Sequence, residues 1–420
     1  MLNKNGEREL AYVVNIDAIE PIVGSDNCEA AIVGGWRVMV RKGTFQPGDL
    51  AIYFEIDSKV DTTKPEFEFL AKKGGKIKTQ RYTFGGKGLM FSQGLLMSAE
   101  DFGGETKVYK DGGKQVIING LAFSVGAPMT KLLGVTYAET EDNVRKAKVD
   151  KDAKYKSMAS RHQKIFKQKW ARWMMRREWG RKIMFFFFGK KKDSPKGWPT
   201  GKFPGVSKTD QERCENMPWI LNDKTPFIVT QKCDGSSGTY ILERKGFGRF
   251  EFYVCSRNVR MADEKQECFY GANNYYWEVA KKYDIRTKME QWLNAHPDAN
   301  WICWQGEICA PAIQKNPHKL TETHFYCFHW TDSLNGRLDI ITADKLWKCY
   351  DMEVVPIVDA NFILPDDMET FKLQADGLYD AAVCEGHKDC AREGFVYYKT
   401  TDPTFSFKNV SRKYLLNHNG

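Results

Sequence analysis

The sequence predicts an α+β protein with a small β-barrel at its amino terminus and a larger domain of strands and helices at its carboxy terminus. Short strand patterns separated by Gly and Pro turns fill roughly the first 135 residues, and longer apolar strand runs with helical stretches follow residue 206. A length of 420 residues allows two or three domains, because a domain usually has about 100–200 residues. We expect domains at 1–140 and 206–420, with a connector at 141–205 between them.

The barrel prediction depends on strand patterns in the front region, at 10–14, 30–33, 36–40 and 50–56. Turns rich in Gly and Pro separate the last three of these. Short strands at this spacing are typical of a small barrel such as the OB-fold. OB barrels commonly bind single-stranded nucleic acid or sit against a duplex, and the alternative is a barrel that only packs on its neighbour. The sequence alone leaves these two interpretations open.

Composition favours a soluble protein of a reducing compartment. Hydrophobic residues make up 42% and charged residues 28% of the chain. No uncharged apolar run approaches the ~20 residues of a membrane span, and the polar start does not resemble a signal peptide. The eleven cysteines are an odd number and are scattered, which is typical of reduced thiols. We therefore expect a cytoplasmic location without stable membrane association. Cys384, His387 and Cys390 have metal-ligand spacing, but no second pair completes a zinc site.

The positive charge of the chain is concentrated in the connector. The net charge is +9, yet residues 145–196 contain 19 Lys/Arg and only 4 Asp/Glu. The rest of the chain is therefore acidic, with 44 Lys/Arg against 50 Asp/Glu. A polyanion or an anionic surface is the expected partner of such a basic segment.

Aromatic residues lie among the charges of the connector. Phe166, Trp170, Trp173 and Met174 are spaced i, i+4, i+7 and i+8, which predicts one face of a helix. Basic residues surround that face: Lys164, Lys167, Lys169, Arg172, Arg176 and Arg177. Three interpretations stay open, namely docking on an adjacent domain, contact with nucleic acid and binding to a membrane surface.

The stretch 227–237 is the strongest candidate for chemistry. An apolar strand pattern carries Lys232 to an Asp234-Gly235 turn, and a strand pattern resumes at 239–242. A lysine at a strand end can be a nucleophile, but only without its proton. Because the pKa of a free lysine is ~10.4, burial or nearby cations would have to lower it to about 7–8. Taken alone, the motif is weak evidence for chemistry and fits a surface hairpin with an exposed lysine better.

Further polar residues follow Lys232 within apolar strand patterns. Arg257 ends one strand, and Glu307 interrupts another, where a buried carboxylate is costly unless it is paired. Phe328 belongs to an aromatic strand, and Glu393 and Lys408 lie in the last two strands. Helices are expected near 268–282 and 285–296. Two carboxylates can hold a hydrated Mg²⁺, and a lysine facing phosphates neutralises charge during transfer.

The order of these motifs resembles the covalent nucleotidyltransferases, the superfamily of polynucleotide ligases and capping enzymes. Within it, residues 305–316 resemble the signature of the T4-type RNA ligase 2 group. The front half is similar to the Deinococcus- and Naegleria-type RNA ligases, which have an amino-terminal OB domain. The stretches that carry this resemblance are 35–38, 48–58, 65–70, 92–96 and 208–213. The resemblance implies an OB-type barrel followed by a nucleotidyltransferase domain of mainly antiparallel sheets with flanking helices.

The resemblance further implies an ATP-dependent RNA ligase that seals nicks with a 3′-OH and a 5′-phosphate, in RNA repair. Lys232 would form lysyl-AMP and transfer the AMP to the RNA end. The implied catalytic residues are Lys232, Asp234, Glu307, Glu393 and Lys408. The implied nucleotide contacts are Gln231, Lys232, Ser237, Arg257, Glu307, Phe328 and Lys408. Asp234, Glu307 and Glu393 would hold Mg²⁺, for which Mn²⁺ could substitute. The expected partner is nicked duplex RNA or an RNA/DNA hybrid, bound by a monomer.

Three positions depart from the family pattern. His329 follows Phe328 where an aspartate is usual, and alanines replace glycines at 310 and 312. The family pattern has a second lysine two residues after Lys408, but this chain has Val410 there. Lys413 could take its place. The alternatives are a catalytically inactive platform that binds nucleic acid, and a DNA ligase or capping-type enzyme. DNA ligases and capping enzymes typically carry an OB domain after the last motif, and we do not expect such a domain here.

Overall fold

The computed structural model describes residues 1, 8–85, 88–138, 163–166, 168–188, 196–199, 201–261, 264 and 274–418. The chain divides into two compact units, one formed by Met1–Tyr137 with Gly197–Gly420 and the other by Ala138–Lys196. The front and carboxy-terminal regions therefore share one unit, and the connector forms the second. The predicted domain bounds, 1–140, 141–205 and 206–420, stay predictions.

The front region consists of short strands, whose burial follows from their side-chain alternation. Trp36–Arg41 alternates between buried and more exposed side chains, whereas Leu50–Phe54 is buried on both faces. The strands are β1 (Ala11–Asn15), β2 (Ala18–Pro21), β3 (Cys28–Val33), β4 (Trp36–Arg41), β5 (Leu50–Phe54), β6 (Ser58–Lys59), β7 (Gln80–Phe84), β8 (Gly88–Ser92), β9 (Leu95–Met97), β10 (Glu105–Val108), β11 (Lys114–Ile118), β12 (Leu121–Phe123) and β13 (Thr136–Tyr137). Helical segments are Pro65–Lys73 and Glu100–Phe102, both 3₁₀, and α1 (Thr130–Leu133).

These strands pair antiparallel, in the orders β1–β5–β9, β2–β3–β4, β10–β11–β12, β7–β8 and β6–β13. One of their apolar clusters, around Trp36 and Tyr53, also includes Val410 and Leu415 from the end of the chain. At Gly35 a Cβ would lie 2.6 Å from the Cα of Glu215. The front region and the carboxy-terminal region are thus packed tightly within one unit.

The connector unit contains α2 (Gln163–Phe166), α3 (Lys169–Met175) and α4 (Glu178–Phe188). The prediction of one continuous aromatic face is wrong, because Gln168 has extended backbone, with ψ 146°, and separates α2 from α3. Phe166 and Met174 pack on a small core, whereas Trp170 and Trp173 are 53% and 50% exposed. Lys167 and the side chains of Lys164 and Lys169 lie outside the described residues.

The strands after the connector are β14 (Lys196–Gly197), β15 (Glu212–Arg213), β16 (Phe227–Lys232), β17 (Ser236–Lys245), β18 (Arg249–Cys255), β19 (Val259–Arg260), β20 (Trp301–Cys309), β21 (His324–Asp332), β22 (Gly336–Arg337), β23 (Ile357–Phe362), β24 (Gly394–Lys399) and β25 (Asp402–Val410). The α-helices are α5 (Tyr275–Lys282), α6 (Ile285–Ala295), α7 (Ile340–Lys348), α8 (Met368–Leu373) and α9 (Arg412–His418). Short 3₁₀ segments are Cys214–Asn216, Pro218–Asn222 and Ala381–Cys384. Helices near both predicted places are confirmed, although residues 268–273 lie outside the described chain.

Two sheets form the carboxy-terminal region. One has the order β19–β18–β17–β20–β21–β22, and the other the order β15–β25–β24–β16–β23. All described pairs in them are antiparallel except β15–β25. The main apolar core contains Tyr240 and Trp304 from the first sheet, Ile228 and Tyr398 from the second, and Trp292 from α6. This arrangement confirms the predicted α+β class with mainly antiparallel sheets and flanking helices.

One connection between the two sheets positions the candidate site. β16 ends at Lys232 in the second sheet, and β17 begins at Ser236 in the first. Only the turn at 233–235 joins them, so the ends of both sheets meet at Lys232. Within the described helices, none is long and apolar enough to cross a membrane.

Candidate active site

Lys232 is held at the end of a buried strand. Residues 227–231 of β16 are all buried, and the Lys232 side chain is 22% exposed. Its ladder partner on β24 is Gly394, which directly follows Glu393. The Lys232 Nζ consequently lies 2.8 Å from the Glu393 Oε2. The register of two strands, and not a flexible loop, brings the amine and the carboxylate together.

Glu307 enters the same site from the other sheet. It is the ladder partner of Ser237, and its Oε1 accepts a hydrogen bond from the Gly235 N–H at 3.1 Å. A Cβ at Gly235 would lie 2.4 Å from the carbonyl oxygen of Ile308. The turn therefore needs glycine to lie this close to β20, which explains the Asp-Gly pair that the sequence shows.

Asp234 completes the carboxylate cluster, which we define as Asp234, Glu307 and Glu393. Its Oδ2 accepts a hydrogen bond from the Tyr414 hydroxyl at 2.6 Å. Its backbone N–H donates to the Nε2 of His318 at 3.2 Å. Because that nitrogen accepts, His318 is neutral there, in agreement with burial lowering its pKa to about 4. Three different elements thus fix the turn that follows Lys232.

The carboxylate cluster carries more negative charge than its surroundings stabilise. Burial raises the pKa of Glu307 to about 8. Attraction by Lys232 opposes this shift, and repulsion from Glu393 and Asp234 adds to it. Burial likewise raises the pKa of Glu393 to about 7, again against Lys232 and with repulsion from Asp234. A cation added to this cluster would be bound favourably, because it would relieve the repulsion.

The pKa of Lys232 is shifted opposite to the direction a nucleophile requires. Burial opposes its charge, but attraction by Glu393, Glu307 and Asp234 outweighs burial and raises the pKa. Burial therefore does not supply the lowering of the pKa to about 7–8 that a lysine nucleophile requires, which leaves nearby cations as the other source. The groups of this chain hold Lys232 as an ammonium ion, so its activation requires a partner that neutralises the carboxylates.

The donor set suits a hard divalent cation. Carboxylate oxygens are the ligands that Mg²⁺ and Mn²⁺ prefer, and Mg²⁺ usually keeps several waters and binds only one or two carboxylates directly. In the described part of the chain, no three His, Cys, Asp or Glu side chains are arranged to hold a metal ion directly. Asp234, Glu307 and Glu393 therefore fit a hydrated cation, bound partly through water.

A second cluster of charges surrounds Asp210, just before β15. Its Oδ1 lies 2.8 Å from the Lys408 Nζ, and its Oδ2 lies 2.6 Å from Arg257 and 3.5 Å from Arg8. Burial lowers the pKa of Lys408 to about 8, although Asp210 counteracts this shift. The cations Lys408, Arg257 and Arg8 outweigh the effect of burial on Asp210 and hold its pKa far below the usual range.

The cation cluster, which we define as Arg8, Arg257 and Lys408, is thus assembled on one carboxylate. Lys408 and Arg257 were both predicted to contact the nucleotide, and the structure brings them to the same carboxylate. Lys413, the candidate for a second lysine, is 70% exposed and pairs with Asp376 at 3.3 Å.

The remaining predicted nucleotide contacts have different surroundings. The Gln231 side chain is buried, and its Oε1 accepts the N–H of Asp380 at 2.9 Å, which ties it to a loop. The Ser237 Oγ lies 2.5 Å from the Thr209 Oγ1. These contacts give both side chains a role in positioning the turn around Lys232.

Phe328 is half-buried on β21, and its ring meets the His329 ring edge-on at 4.8 Å. Both line a shallow surface depression together with Ile228 and Tyr398. The His329 imidazole is buried, and burial holds its pKa well below 6.5. It is therefore neutral where the family usually has an aspartate.

Sequence reasoning missed several residues of the site. Asp210 lies in the stretch 208–213, but its role as a shared anion was not predicted. Arg8, His318 and Tyr414 were missed entirely, since their partners lie 202, 84 and 180 positions away and no local pattern marks them. Lys408 and Asp210 are neighbours because β15 and β25 pair in parallel.

A lysine at a strand end between carboxylates, on two sheets behind a β-barrel, is the arrangement of a covalent nucleotidyltransferase. The comparisons agree with this class. A family model described as RNA ligase matches residues 225–415, and one described as OB-fold domain matches residues 10–97. The chain thus carries an OB-fold domain followed by an RNA ligase family domain, over the residues that these two models match. A comparison with curated proteins found no match.

Solved structures narrow this assignment further. A variant of the RNA ligase of Naegleria gruberi with ATP and Mn is similar with a TM-score of 0.67 and 27% identity, over 98% of this chain and 100% of that one. The same ligase with pyrophosphate gives a TM-score of 0.66 and 26% identity, over 98% and 99%. A variant with AMP and Mn gives 0.65 and 26%, again over 98% and 99%. The likeness to the Naegleria-type ligases is confirmed over nearly the whole chain.

Proposed function

We propose that this protein is an ATP-dependent RNA ligase that seals 3′-OH/5′-phosphate nicks through lysyl-AMP and RNA-adenylate. The observation that carries the proposal is Lys232, which ends β16 with its Nζ 2.8 Å from Glu393, inside the carboxylate cluster. The match to the RNA ligase family and the ATP, AMP and pyrophosphate bound to the similar Naegleria ligase support ATP as the nucleotide.

The residues of this chain divide the chemistry between them. The amine of Lys232 forms a bond to the α-phosphorus of ATP, and the bond to pyrophosphate breaks. An oxygen of the RNA 5′-phosphate then displaces Lys232 from that phosphorus, and the 3′-OH finally displaces AMP to form the phosphodiester. Glu393 holds the Lys232 side chain in position, through the 2.8 Å contact between Nζ and Oε2.

The charged clusters supply the electrostatics of these steps. Mg²⁺ or Mn²⁺, when bound to the carboxylate cluster, adds the positive charge that lowers the pKa of the amine and offsets the charge of the phosphate. Lys408 and Arg257 are the cations that would face the phosphates and balance charge as it develops. Phe328 would stack on adenine, since its ring is only half-buried on β21.

The substrate and setting belong to the same proposal. We take the substrate to be nicked duplex RNA or an RNA/DNA hybrid, bound by a monomer during RNA repair. The thiols support a reducing cytoplasm, because all cysteines in the described residues are free and nearly all are buried or half-buried.

Transfer of AMP to the enzyme tests the proposal. The protein is incubated with Mg²⁺ and α-labelled ATP or GTP and then denatured. We expect label from ATP alone on the 48.3 kDa chain, and at least a thousand-fold less label on Lys232→Ala, because no other group can replace the nucleophile. Lys224→Ala is the matched control, since this exposed lysine of the same region pairs with Asp366.

Each result decides between the classes. Full labelling of Lys232→Ala contradicts the assignment of the nucleophile. Label from GTP indicates capping chemistry. If neither nucleotide labels the wild-type protein and its mass shows no bound AMP, the protein is a binding platform and not a ligase. A nicked-duplex assay with RNA and DNA strands then defines the preferred substrate.

A further inference from the structure

Helices α3 and α4 carry a surface that lies outside the family match at 225–415. Small residues form the contact between the helices, since a Cβ at Gly180 would lie 2.1 Å from the carbonyl oxygen of Met174. Ala171 and Met184 are fully buried in the small core beside this contact. Phe166 and methionine side chains complete this core, whereas the tryptophans of both helices lie outside it.

The exposed aromatic residues form a ridge, which we define as Trp170, Trp173 and Trp179. They are 53%, 50% and 50% exposed. Trp170 and Trp173 are three residues apart and thus neighbours on α3, and Trp173 meets Trp179 edge-on at 5.8 Å. Ile183 and Phe187 of α4 follow Trp179 at i+4 and i+8 and are 42% and 69% exposed. Exposed indoles in such a row are rare on a soluble protein and indicate a binding surface.

Basic residues share the ridge. Residues 163–188 contain eight Lys/Arg and one Glu. The Arg177 guanidinium lies 3.7 Å from the Trp173 ring centroid, and Arg172 and Arg176 are exposed on the same helix and the turn after it. A helix that lies on a membrane separates its apolar and basic faces. Here the Arg177 cation instead stacks on the Trp173 indole itself, and this proximity of charge and aromatic ring suits a chain of bases and phosphates.

We propose that the tryptophan ridge is an accessory RNA-binding surface, which stacks unpaired bases on its indoles and pairs phosphates with its arginines. The ligand class follows from the proposed ligase function, but the surface itself needs none of the residues around Lys232. The ridge would add affinity for single-stranded segments next to a break. The bases of a duplex are paired and stacked on one another, so they are not free to stack on the indoles.

The double variant Trp170→Ala/Trp173→Ala tests this surface in the full-length protein. Binding of a fluorescently labelled 12-nucleotide RNA and of the same RNA in a duplex is measured by anisotropy. Base stacking on aromatic side chains contributes about 1–3 kcal/mol per base, so we expect at least a tenfold loss of affinity for the single strand and a smaller loss for the duplex. Because both side chains are half exposed, helix content in circular dichroism should be unchanged.

The controls separate the ridge from other causes. Trp219→Ala removes a tryptophan that is 56% exposed in the other compact unit, and it should leave RNA binding unchanged. Arg176→Gln/Arg177→Gln should lower the slope of log affinity against log salt by about 1–1.5, because two phosphate contacts are lost. A loss of affinity in the Trp170/Trp173 variant no larger than that of Trp219→Ala overturns the proposal.

Two further outcomes are decisive. Binding to phosphatidylserine vesicles that the double variant loses, with RNA binding unchanged, would assign the ridge to membranes and overturn the proposal. Lys232 labelling is measured in the same samples and should be unchanged. If labelling fails in the wild-type protein while the double variant still loses single-strand affinity, the ridge is confirmed and the ligase proposal alone is refuted.

Discussion

Asp210 is the residue on which the cation cluster depends. Lys408, Arg257 and Arg8 all lie within 2.6–3.5 Å of its carboxylate oxygens. Three cations at this spacing, of which Arg8 and Lys408 are largely buried, would repel one another without a shared anion. The side chain of Asp210 is only 9% exposed, so water cannot replace it. We infer that Asp210 is a positioning residue, which orients Lys408 and Arg257 and keeps Lys408 charged.

Asp210→Asn should therefore weaken the use of ATP and shift its pH dependence. Asp210 counteracts burial, which lowers the pKa of Lys408 to about 8. Without the carboxylate this pKa falls further, and Lys408 loses its charge at a lower pH. We expect KM for ATP in lysyl-AMP formation to rise about tenfold, and the loss of activity on the alkaline side to begin below pH 8. The measurement is the rate of Lys232 labelling against ATP concentration from pH 6.5 to 9.

The control for Asp210 is Asp366→Asn, which changes a carboxylate that is 93% exposed and pairs with Lys224. Its labelling rate and pH profile should match those of the wild-type protein. An Asp210→Asn enzyme with a normal alkaline limb would contradict the role of Asp210 in keeping Lys408 charged, even if its overall rate were reduced.

At the scale of elements, sequence patterns predicted what local chemistry determines. The strand ending at Lys232 and the Asp-Gly turn follow from β-branched residues and from the glycine that the close approach to β20 requires. The prediction of one helical face in the connector was wrong, because side-chain periodicity does not reveal the extended backbone at Gln168. Periodicity also does not show which face of α3 packs against Gly180 of α4.

Long-range pairing explains what else the sequence could not provide. The parallel pair β15–β25 determines which carboxylate accepts a hydrogen bond from Lys408. The two strands are almost 200 residues apart in the sequence. The direction of the Lys232 pKa shift depends on three carboxylates that different strands and a turn bring together. The order of the motifs identified these residues as a group. Only the fold shows that the three carboxylates lie close enough to Lys232 to raise its pKa.

The contact between β20 and β21 can be tested at Gly306. A Cβ at this position would lie 2.6 Å from the Phe325 ring and from the Tyr326 carbonyl oxygen. Gly306→Ala should therefore push the strands apart and displace the adjacent Glu307. We expect a loss of about 1–3 kcal/mol in the free energy of unfolding, as for other overpacked sites, and a labelling rate at least tenfold lower. Urea unfolding and Lys232 labelling measure the two effects.

Gly246→Ala is the matched control for Gly306→Ala. A Cβ at Gly246 would meet nothing within 4 Å, since this residue lies in the turn between β17 and β18. Both effects should be absent there. If Gly306→Ala kept wild-type stability and labelling, the close approach of β20 and β21 would not be what fixes Glu307.

At the scale of the molecule, a buried polar network joins the front region to the RNA ligase domain. Glu55 is 1% exposed and lies 3.0 Å from both the Arg8 Nη1 and the Tyr12 hydroxyl, with the Met1 amino group as a further partner. Its Oε1 also accepts from the Asn216 side chain at 2.9 Å. Arg8 in turn reaches Asp210. The network thus connects the OB-fold strands with the cations that would face ATP.

The same network makes stability depend on acid pH. Burial opposes the charge of Glu55, but the Met1 amino group and Arg8 outweigh it and lower the pKa from 4.5 to about 2. The unfolded chain therefore binds a proton more readily than the folded one, and the stabilisation is present above pH 4.5 and lost as pH falls towards 2. A shift of this size corresponds to about 3 kcal/mol.

Glu55→Gln should remove this acid dependence and lower stability at neutral pH by about 3–5 kcal/mol, because the Met1 amino group and Arg8 both lose the buried negative charge of Glu55. Urea unfolding at pH 7, 5 and 3 measures both effects. We expect the two proteins to become more similar in stability as the pH falls, whereas Glu68→Gln, at an exposed position of the same region, should follow the wild type throughout. A constant difference between Glu55→Gln and the wild type at all three pH values would show that lost packing, and not the ion pair, explains the effect. Reduced lysyl-AMP formation by folded Glu55→Gln would in turn show that the network transmits its order to Asp210 and the cation cluster.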